Sequence, residues 1–389
     1  MSMQGARALH NKAVVYILDT CAPGTAERAG INVMNRVAQE GIATFLIAPI
    51  TAEEAAGMRL SCNEVISIPE LGKLESLYDV MRGRLLAFLK LCRALYDMRF
   101  EFEDVVVHTH GQTAGFWGRW AAWCVGIGHT IHTVYRFSFA PGMKAYQWWV
   151  AYVVEYLTSW VTSEYICLSA KDRSVGIQYL PFFAKRCVVI RPSIDWQEFY
   201  APVANARPSM SPIVVGTVLG TSVDQEQTVY TFLRLVQKLQ IMGVPVRGEI
   251  IGEGAWRWRV TQWLADHDLE SAVRILGWQG QSAAVIKTWH LFVSCSKSEV
   301  PSTGVVQARL SWVPVVAYHA AWVDEIIRNE KSGLLVPVGD EVALFKEVYR
   351  VIIDRPLYER LASYQENLHE YSEVAVGTSH VKLYKNIAG

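Results

Sequence analysis

The stretch 129-HTIHTVYRFSF-139 sets two histidines, a tyrosine and an arginine at the end of an apolar run, where a strand would pass into a loop. An imidazole there could serve as a general base near neutral pH. The Tyr135 phenol, with a reference pKa of about 10, is a hydrogen-bond donor and a poor base. His132 lies three residues earlier, so on a continuous strand the two side chains face opposite sides unless the loop turns at His132. His129 suits a satisfied strand-end histidine. A second pair, His108 and His110 in VVVHTHG, alternates along a strand and shares one face. Two such rings can begin a metal site, yet the local sequence offers no further ligands within reach, and no metal is expected.

These residues need elements to hold them. A chain of 389 residues, 51% hydrophobic and 19% charged, can bury large cores and is long enough for two domains. Lys+Arg and Asp+Glu both number 37, so no net field draws the chain to nucleic acid, which is not an expected partner. Cys21, Cys62, Cys92, Cys124, Cys167, Cys187 and Cys295 are scattered singly without a CxxC pair. That pattern points to a reducing, cytoplasmic setting and against structural zinc. The opening residues carry no apolar stretch of signal-peptide length. Glu155 interrupts the longest apolar segment, YQWWVAYVVEYLTSWV, so no membrane span is expected.

Short apolar runs alternate with longer helical patterns: 13-AVVYILD, 42-IATFLIAP, 104-DVVVHTH, 165-YICLS and 187-CVVIRPS, then 213-IVVGTVLG, 246-VRGEIIGEG, 273-VRILG, 291-LFVSCS, 314-PVVAY and 333-GLLVPV. This is the pattern of parallel sheets covered on both faces, occurring twice. The stretch 200-YAPVANARPSMSP-212, rich in Pro, Ala and Ser, is the expected linker. In such sheets ligands gather at the carboxyl ends of the strands, which directs attention to loops 19–28, 108–115, 132–139, 216–225, 252–257 and 294–304.

The second half resembles the family-4 glycosyltransferases of the GT-B fold through RPSID (191–195), IIGEG (250–254), VRILGW (273–278), LFVSCSKSE (291–299), VPVVAY (313–318) and SGLLVPVGD (332–340). The first half is similar through GTAER (24–28), HTHGQTAGFWGRWAA (108–122) and the TIHTVYRFSF loop, which resembles the acceptor-side loop of bacterial surface-polysaccharide transferases. The resemblance implies an α/β protein with two Rossmann-like, doubly wound parallel-sheet domains facing across a cleft. Residues 1–200 would bind the acceptor and 213–356 the nucleotide sugar, and 357–389 would pack back towards the first domain. It also implies retaining transfer of a hexose from a nucleoside-diphosphate sugar, without a metal or other cofactor, onto a lipid-linked or growing glycan of envelope or exopolysaccharide synthesis.

Carried over residue by residue, the resemblance puts Glu299 at the donor sugar and Gln307, eight residues on, at the ribose. Gln307 takes the place of a carboxylate and can still bond a hydroxyl through its amide. Gly216, Gly220 and the amides between them would cradle the diphosphate, with Thr217, Gly252, Glu253, Gly254, Lys297, Ser298 and Gly304 lining the donor side. The family's Arg after the first strand of this domain, and its Lys several residues later, are missing: the chain has Thr217 and then DQEQ, with no Lys or Arg from 208 to 233. Tyr135 falls where the family has a histidine near the transferring sugar, with His132 as the fallback, and Arg136 falls on a glycine. Gly24, Thr25, His110 and Gly111 join Arg136 on the acceptor side. The substitutions at Thr217, Gln225, Gln307 and Tyr135 also fit an alternative, a non-catalytic GT-B subunit that binds a glycan, a nucleotide or a partner enzyme.

Two helical patterns admit a membrane-surface reading beside the ordinary one of sheet-covering helices: 82–100, in which Arg82, Arg84, Lys90, Arg93 and Arg99 mix with leucines, and the segment around Trp148, Trp149, Tyr152, Tyr156 and Trp160, with bulky aromatics at i and i+4. Because the resemblance implies lipid-linked acceptors, helix 82–100 is the expected contact with the inner face of a membrane.

Overall fold

The computed structural model describes residues 12–21, 28–72, 77–137, 139, 144–201, 211–219, 225–279, 281–297, 303–320, 322–364 and 366–387. The chain forms two compact units, one of residues 1–193 with 373–389 and one of residues 194–372.

In unit 1 a seven-stranded sheet has the order β3-β2-β1-β4-β5-β6-β7. Its strands are β1 Lys12–Leu18, β2 Ala43–Ala48, β3 Glu64–Ser67, β4 Asp104–His110, β5 His129–Val134, β6 Glu164–Cys167 and β7 Cys187–Val189. Every pairing is parallel. The central strand KAVVYIL is buried from Ala13 to Leu18, as a strand covered on both faces must be. Val14, Tyr16 and Leu18 face a core shared with helices Arg28–Gln39 and Glu373–Ile387. Ala13, Val15 and Ile17 face one shared with Leu77–Glu101 and Gln112–Cys124. The strand order reverses between β1 and β4, so a ligand crevice is expected there, at the carboxyl ends.

Unit 2 repeats the plan with the order β10-β9-β8-β11-β12-β13: β8 Ile213–Val218, β9 Val246–Ile251, β10 Val273–Gly277, β11 Leu291–Ser294, β12 Val315–Tyr318 and β13 Gly333–Val336. All of these pair in parallel. The order reverses between β8 and β11, and the loops that follow those two strands, 220–224 and 298–302, lie outside the described residues.

The division between units falls after Ser193, ahead of the expected linker at 200–212. Ile194 and Phe199 are already buried in the second unit's core, and Ile194 N donates to the Tyr371 carbonyl at 2.9 Å; residues 202–210 lie outside the described residues. The segment expected to return as a whole from 357 is divided as well. Leu357, Tyr358 and Leu361 stay in the core of unit 2, and the chain belongs to unit 1 from Glu373.

Glu155 does more than interrupt an apolar run. On helix Ala145–Thr158 it turns inward and pairs with the buried Arg119, at 2.9 and 3.1 Å to the two guanidinium nitrogens. Arg119 also donates to Thr162, Tyr165 and the Gly115 carbonyl, so the charge is dry but fully partnered, as burial demands. Among the described residues no helix is long and apolar enough to cross a membrane.

Candidate functional site

At the point where the order of unit 1 reverses, Asp19 follows β1 and Gly111 follows β4. The Asp19 carboxylate accepts from the Thr113 amide at 2.9 Å and from the Ala114 amide. These are unpaired donors at the start of helix Gln112–Cys124, where a negative charge also meets the helix dipole. Gly111 has φ 90°, and a Cβ there would collide with the Asp19 carboxylate. Both the backbone and the available space therefore call for glycine. The sequence reading marked the 19–28 loop but not Asp19 itself; a carboxylate directly after the central strand was the available signal.

His110, the last residue of β4, is buried and lies with Nδ1 2.9 Å from the Tyr135 hydroxyl, just beyond β5. Tyr16 stacks against the His110 ring with centroids 5.9 Å apart. Gly30 lies so close that an added Cβ would come 3.0 Å from the ring. His110 Nε2 is buried with no hydrogen-bond partner among the described residues. Orphaned buried N–H groups are rarer than orphaned acceptors. The tautomer this favours carries its proton on Nδ1 and donates to the Tyr135 hydroxyl.

His108, two residues earlier on the same face, is satisfied at both ring nitrogens: Nδ1 is 2.7 Å from the Tyr384 hydroxyl and Nε2 2.8 Å from Thr133. Tyr384 is also 2.8 Å from the Tyr16 hydroxyl. This network ties the last helix to the sheet. Burial, with lesser contributions from neighbouring imidazoles, pushes His108 well below the ordinary range and His110 to about 3. Burial brings His380, on the last helix, to about 4. Neutral rings are thus the resting state. No group of three or more His, Cys, Asp or Glu among the described residues is arranged to hold a metal ion.

His132 is on the other face. Its ring is buried against Gly115 of helix Gln112–Cys124, 2.9 Å from the Thr109 hydroxyl. Burial and the nearby Arg119 charge hold it neutral. The structure brings Tyr135 together with His110 and leaves His132 behind the sheet, among core side chains. Arg136 is exposed, while Gly24 and Thr25 lie outside the described residues.

In unit 2 the glycines have specific neighbours. Gly216 lies inside β8 under the buried Trp289 indole, which fills the space a side chain would need. Trp289 Nε1 donates to Glu249 at 2.9 Å. Packing thus accounts for this glycine without a phosphate. Thr217 is buried beside it. Gly252, at φ 140°, follows β9 and donates to the Gly277 carbonyl at 3.0 Å. Gly254 lies against Trp256, whose indole donates to Gln225 at 3.2 Å.

Glu253 pairs with Arg257. Arginines absent from the 208–233 stretch reach this edge from helices: Arg257, Arg259 paired with Glu226, and Arg234 paired with Glu341. Lys297 is exposed beside Gly339 and the start of helix Glu341–Ile353, where it helps to lower the Glu341 pKa after hydrogen bonds from Arg234 and Thr231. Gly304 is buried and Gln307 half-buried on helix Thr303–Leu310. Gly220, Ser298 and Glu299 lie outside the described residues.

The family model described as Glycosyltransferase Family 4 matches residues 26–198, and that described as Glycosyl transferases group 1 matches residues 221–368. The chain is 23% identical over 316 residues to the UDP-Gal:alpha-D-GlcNAc-diphosphoundecaprenol alpha-1,3-galactosyltransferase of Escherichia coli, covering 76% of this chain and 74% of that protein. It is 22% identical over 136 residues to the lipopolysaccharide core biosynthesis glycosyltransferase LpsE of Rhizobium meliloti, covering 34% and 40%. Among solved structures, Anabaena HepE in complex with UDP-glucose matches 96% of this chain and 99% of its own, with TM-score 0.75 and 15% identity. The lipopolysaccharide outer core galactosyltransferase WaaB matches 96% and 99%, with TM-score 0.68 and 13% identity. Identities this low carry the fold alone. The two family matches, each laid over one parallel-sheet unit and in the expected order, show that the chain belongs to the family-4 glycosyltransferases of the GT-B fold.

Proposed function

We propose that the chain moves a hexose from a nucleoside-diphosphate sugar, with retention, onto a lipid-linked or growing glycan of envelope or exopolysaccharide synthesis, at the cytoplasmic face of the membrane. The observation that carries this reading is the Tyr135 hydroxyl held 2.9 Å from His110 Nδ1 at the carboxyl end of β4 and β5. A donor fixed in this way is what a departing group or a sugar hydroxyl needs near the anomeric carbon. The names of the relatives support the substrate classes: one acts with UDP-Gal and a diphosphoundecaprenol-linked sugar, and one fold neighbour was crystallised with UDP-glucose.

In this proposal unit 2 takes the donor. Glu299 accepts from the sugar hydroxyls, the Gln307 amide meets the ribose, and the backbone around Gly220, with Ser298 and Lys297, meets the diphosphate. Unit 1 takes the acceptor beside Tyr135, His110, Gly111 and Arg136. No resident metal enters the scheme. The test is a thermal-shift panel of UDP-, GDP-, ADP- and TDP-sugars followed by transfer assays. A donor at about 100 times its Kd should stabilise the fold by about 2.7 kcal/mol. A chain shifted by none of them, and transferring none, would be a binding subunit instead.

A further inference from the structure

Helix Ala145–Thr158 is apolar on both sides. Trp148, Tyr152 and Tyr156 pack inward with Phe139 and Tyr179. Tyr146, Trp149, Val150, Val153, Val154 and Leu157 face outward, each at least 40% exposed. Their spacing of three and four residues makes them one stripe along about 17 Å of helix. Trp160, in the turn that follows, extends it at 59% exposed. Phe182 adds a second ring 6.2 Å from Trp160, itself 59% exposed and held at φ 61°, a conformation costly for a bulky residue. Burying Phe182 and Trp160 would have been the ordinary outcome; here the backbone is strained and the ring still faces water.

The charges point to what covers this face. The only charged residue of the helix, Glu155, is spent inward on Arg119, leaving a stripe without charge. At its ends stand cations: exposed Lys144 at the helix start, and exposed Lys185 beside the half-buried Arg186, which donates to the Thr162 carbonyl at 3.3 Å and whose guanidinium lies 5.8 Å from the Phe182 ring centre. Glu164, half-buried near Arg186, is the acidic neighbour on that side. An uncharged stripe with tryptophan and tyrosine at its margins and a basic rim complements anionic headgroups over an acyl layer. A folded partner would need polar groups within the stripe to fix its register, and this face offers only Gln147 and the polar tips of aromatic rings.

The expected interfacial helix is a poorer fit. Leu77–Glu101 also exposes Leu85, Leu86, Leu89, Tyr96 and Phe100, but four of its five cations are engaged, beside an exposed Arg82. Arg84 donates to the Glu70 and Leu71 carbonyls, Lys90 pairs with Glu70, Arg93 approaches Asp97, and Arg99 donates to the Val125 carbonyl.

We propose that the face formed by helix Ala145–Thr158, Trp160 and Phe182 docks unit 1 on an anionic lipid surface. This rests on the reading of a lipid-linked acceptor only for its purpose; the docking itself needs no acceptor. The full chain is floated with vesicles of phosphatidylethanolamine and phosphatidylglycerol, free of glycolipid and nucleotide sugar, and with vesicles of phosphatidylcholine. Binding should favour the anionic vesicles. Val153→Glu and, independently, Trp149→Ser should each weaken it by about tenfold or more with unchanged melting, while Leu89→Glu should bind as wild type.

Failure to float, or loss with Leu89→Glu and not with the other two, overturns the proposal. So does a wild-type dimer that Val153→Glu converts to monomer, since a second copy would then cover the face. A chain that transfers sugar to a short soluble acceptor but never floats defeats only this proposal; one that floats and transfers nothing defeats only the transferase reading.

Discussion

At the carboxyl edge of unit 1 the polar side chains are withdrawn from water: His108, His110 and Tyr16 are each at most 2% exposed, and most of their hydrogen-bonding atoms have partners inside the fold. Around unit 2's strand ends the charges stay at the surface, with Arg234–Glu341, Arg257–Glu253 and Arg259–Glu226 all between 38 and 53% exposed. The first arrangement fixes geometry through dry contacts that cannot be removed without disturbing the fold. The second is weak and exchangeable, since exposed ion pairs contribute about 0 to 1 kcal/mol. Substitutions among the dry groups at unit 1's strand ends therefore report on folding and function together, and those of the exposed pairs at unit 2's strand ends can report on binding alone.

The largest expected effect is acid loss of unit 1. In the folded chain His110 titrates at about 3 and His380 at about 4, with His108 and His132 also held well below the ordinary range, against about 6.5 when unfolded. Between those values the unfolded chain binds protons that the folded chain refuses. Stability is therefore complete above about pH 6.5 and falls as pH falls, by up to about 1.4 kcal/mol per pH unit for each ring. Urea unfolding followed from about pH 7 to about pH 5 should show this slope, and His380→Gln should remove one proton's share. A flat profile would mean that the rings are not buried as described.

Next comes the buried pair. Arg119→Met leaves Glu155 charged and without its guanidinium, and should cost about 3 to 5 kcal/mol. Arg259→Ala, cutting an exposed pair in unit 2, should cost less than about 1 kcal/mol. Equal losses by denaturant titration would erase the contrast between the dry pair and the exposed one.

Most strands of both sheets were legible as apolar runs between helical patterns, as 104-DVVVHTH shows against the observed Asp104–His110. Strand β3 escaped, being four residues, EVIS, with none fully buried. The polar partners escaped for a different reason: sequence spacing is silent about contacts such as His108 to Tyr384, 276 residues apart. Arg84 read as one of the basic residues of a surface helix, and its carbonyl partners at 2.7 and 2.8 Å lie outside that helix. Glu155 looked like a simple interruption because its reason, Arg119, sits on another helix. Alternation alone did separate His132 from Tyr135, since strand geometry sends them to opposite faces.

That separation makes the catalytic test selective. Tyr135→Phe removes one hydroxyl and should lower turnover by about 10²-fold, while Tyr135→His should be tolerated or activating. His132→Ala should act through stability, because its ring contacts Thr109 and the Gly115 region. If His132→Ala abolished turnover in a chain that still melts normally, while Tyr135→Phe kept full activity, the base would lie on the other face and the Tyr135 assignment would fall.

The smallest expected effect bears on unit 2. Glu299→Ala should weaken donor binding by about 2 kcal/mol if that carboxylate accepts from the sugar hydroxyls, and it provides the reference for a subtler change. Gln307 sits half-buried on helix Thr303–Leu310, between the buried Val306 and Ala308. A neutral amide there can bond a ribose hydroxyl, but a carboxylate would bond it about twice as strongly. Gln307→Glu should therefore preserve or tighten donor affinity, with little change in melting temperature, because a half-buried side chain keeps contact with water. Calorimetric titration of both variants with the donor that gives the largest thermal shift decides the matter. If Glu299→Ala weakens binding and Gln307→Glu does not, the donor lies along this helix; if both bind as wild type, the donor site is elsewhere in the chain.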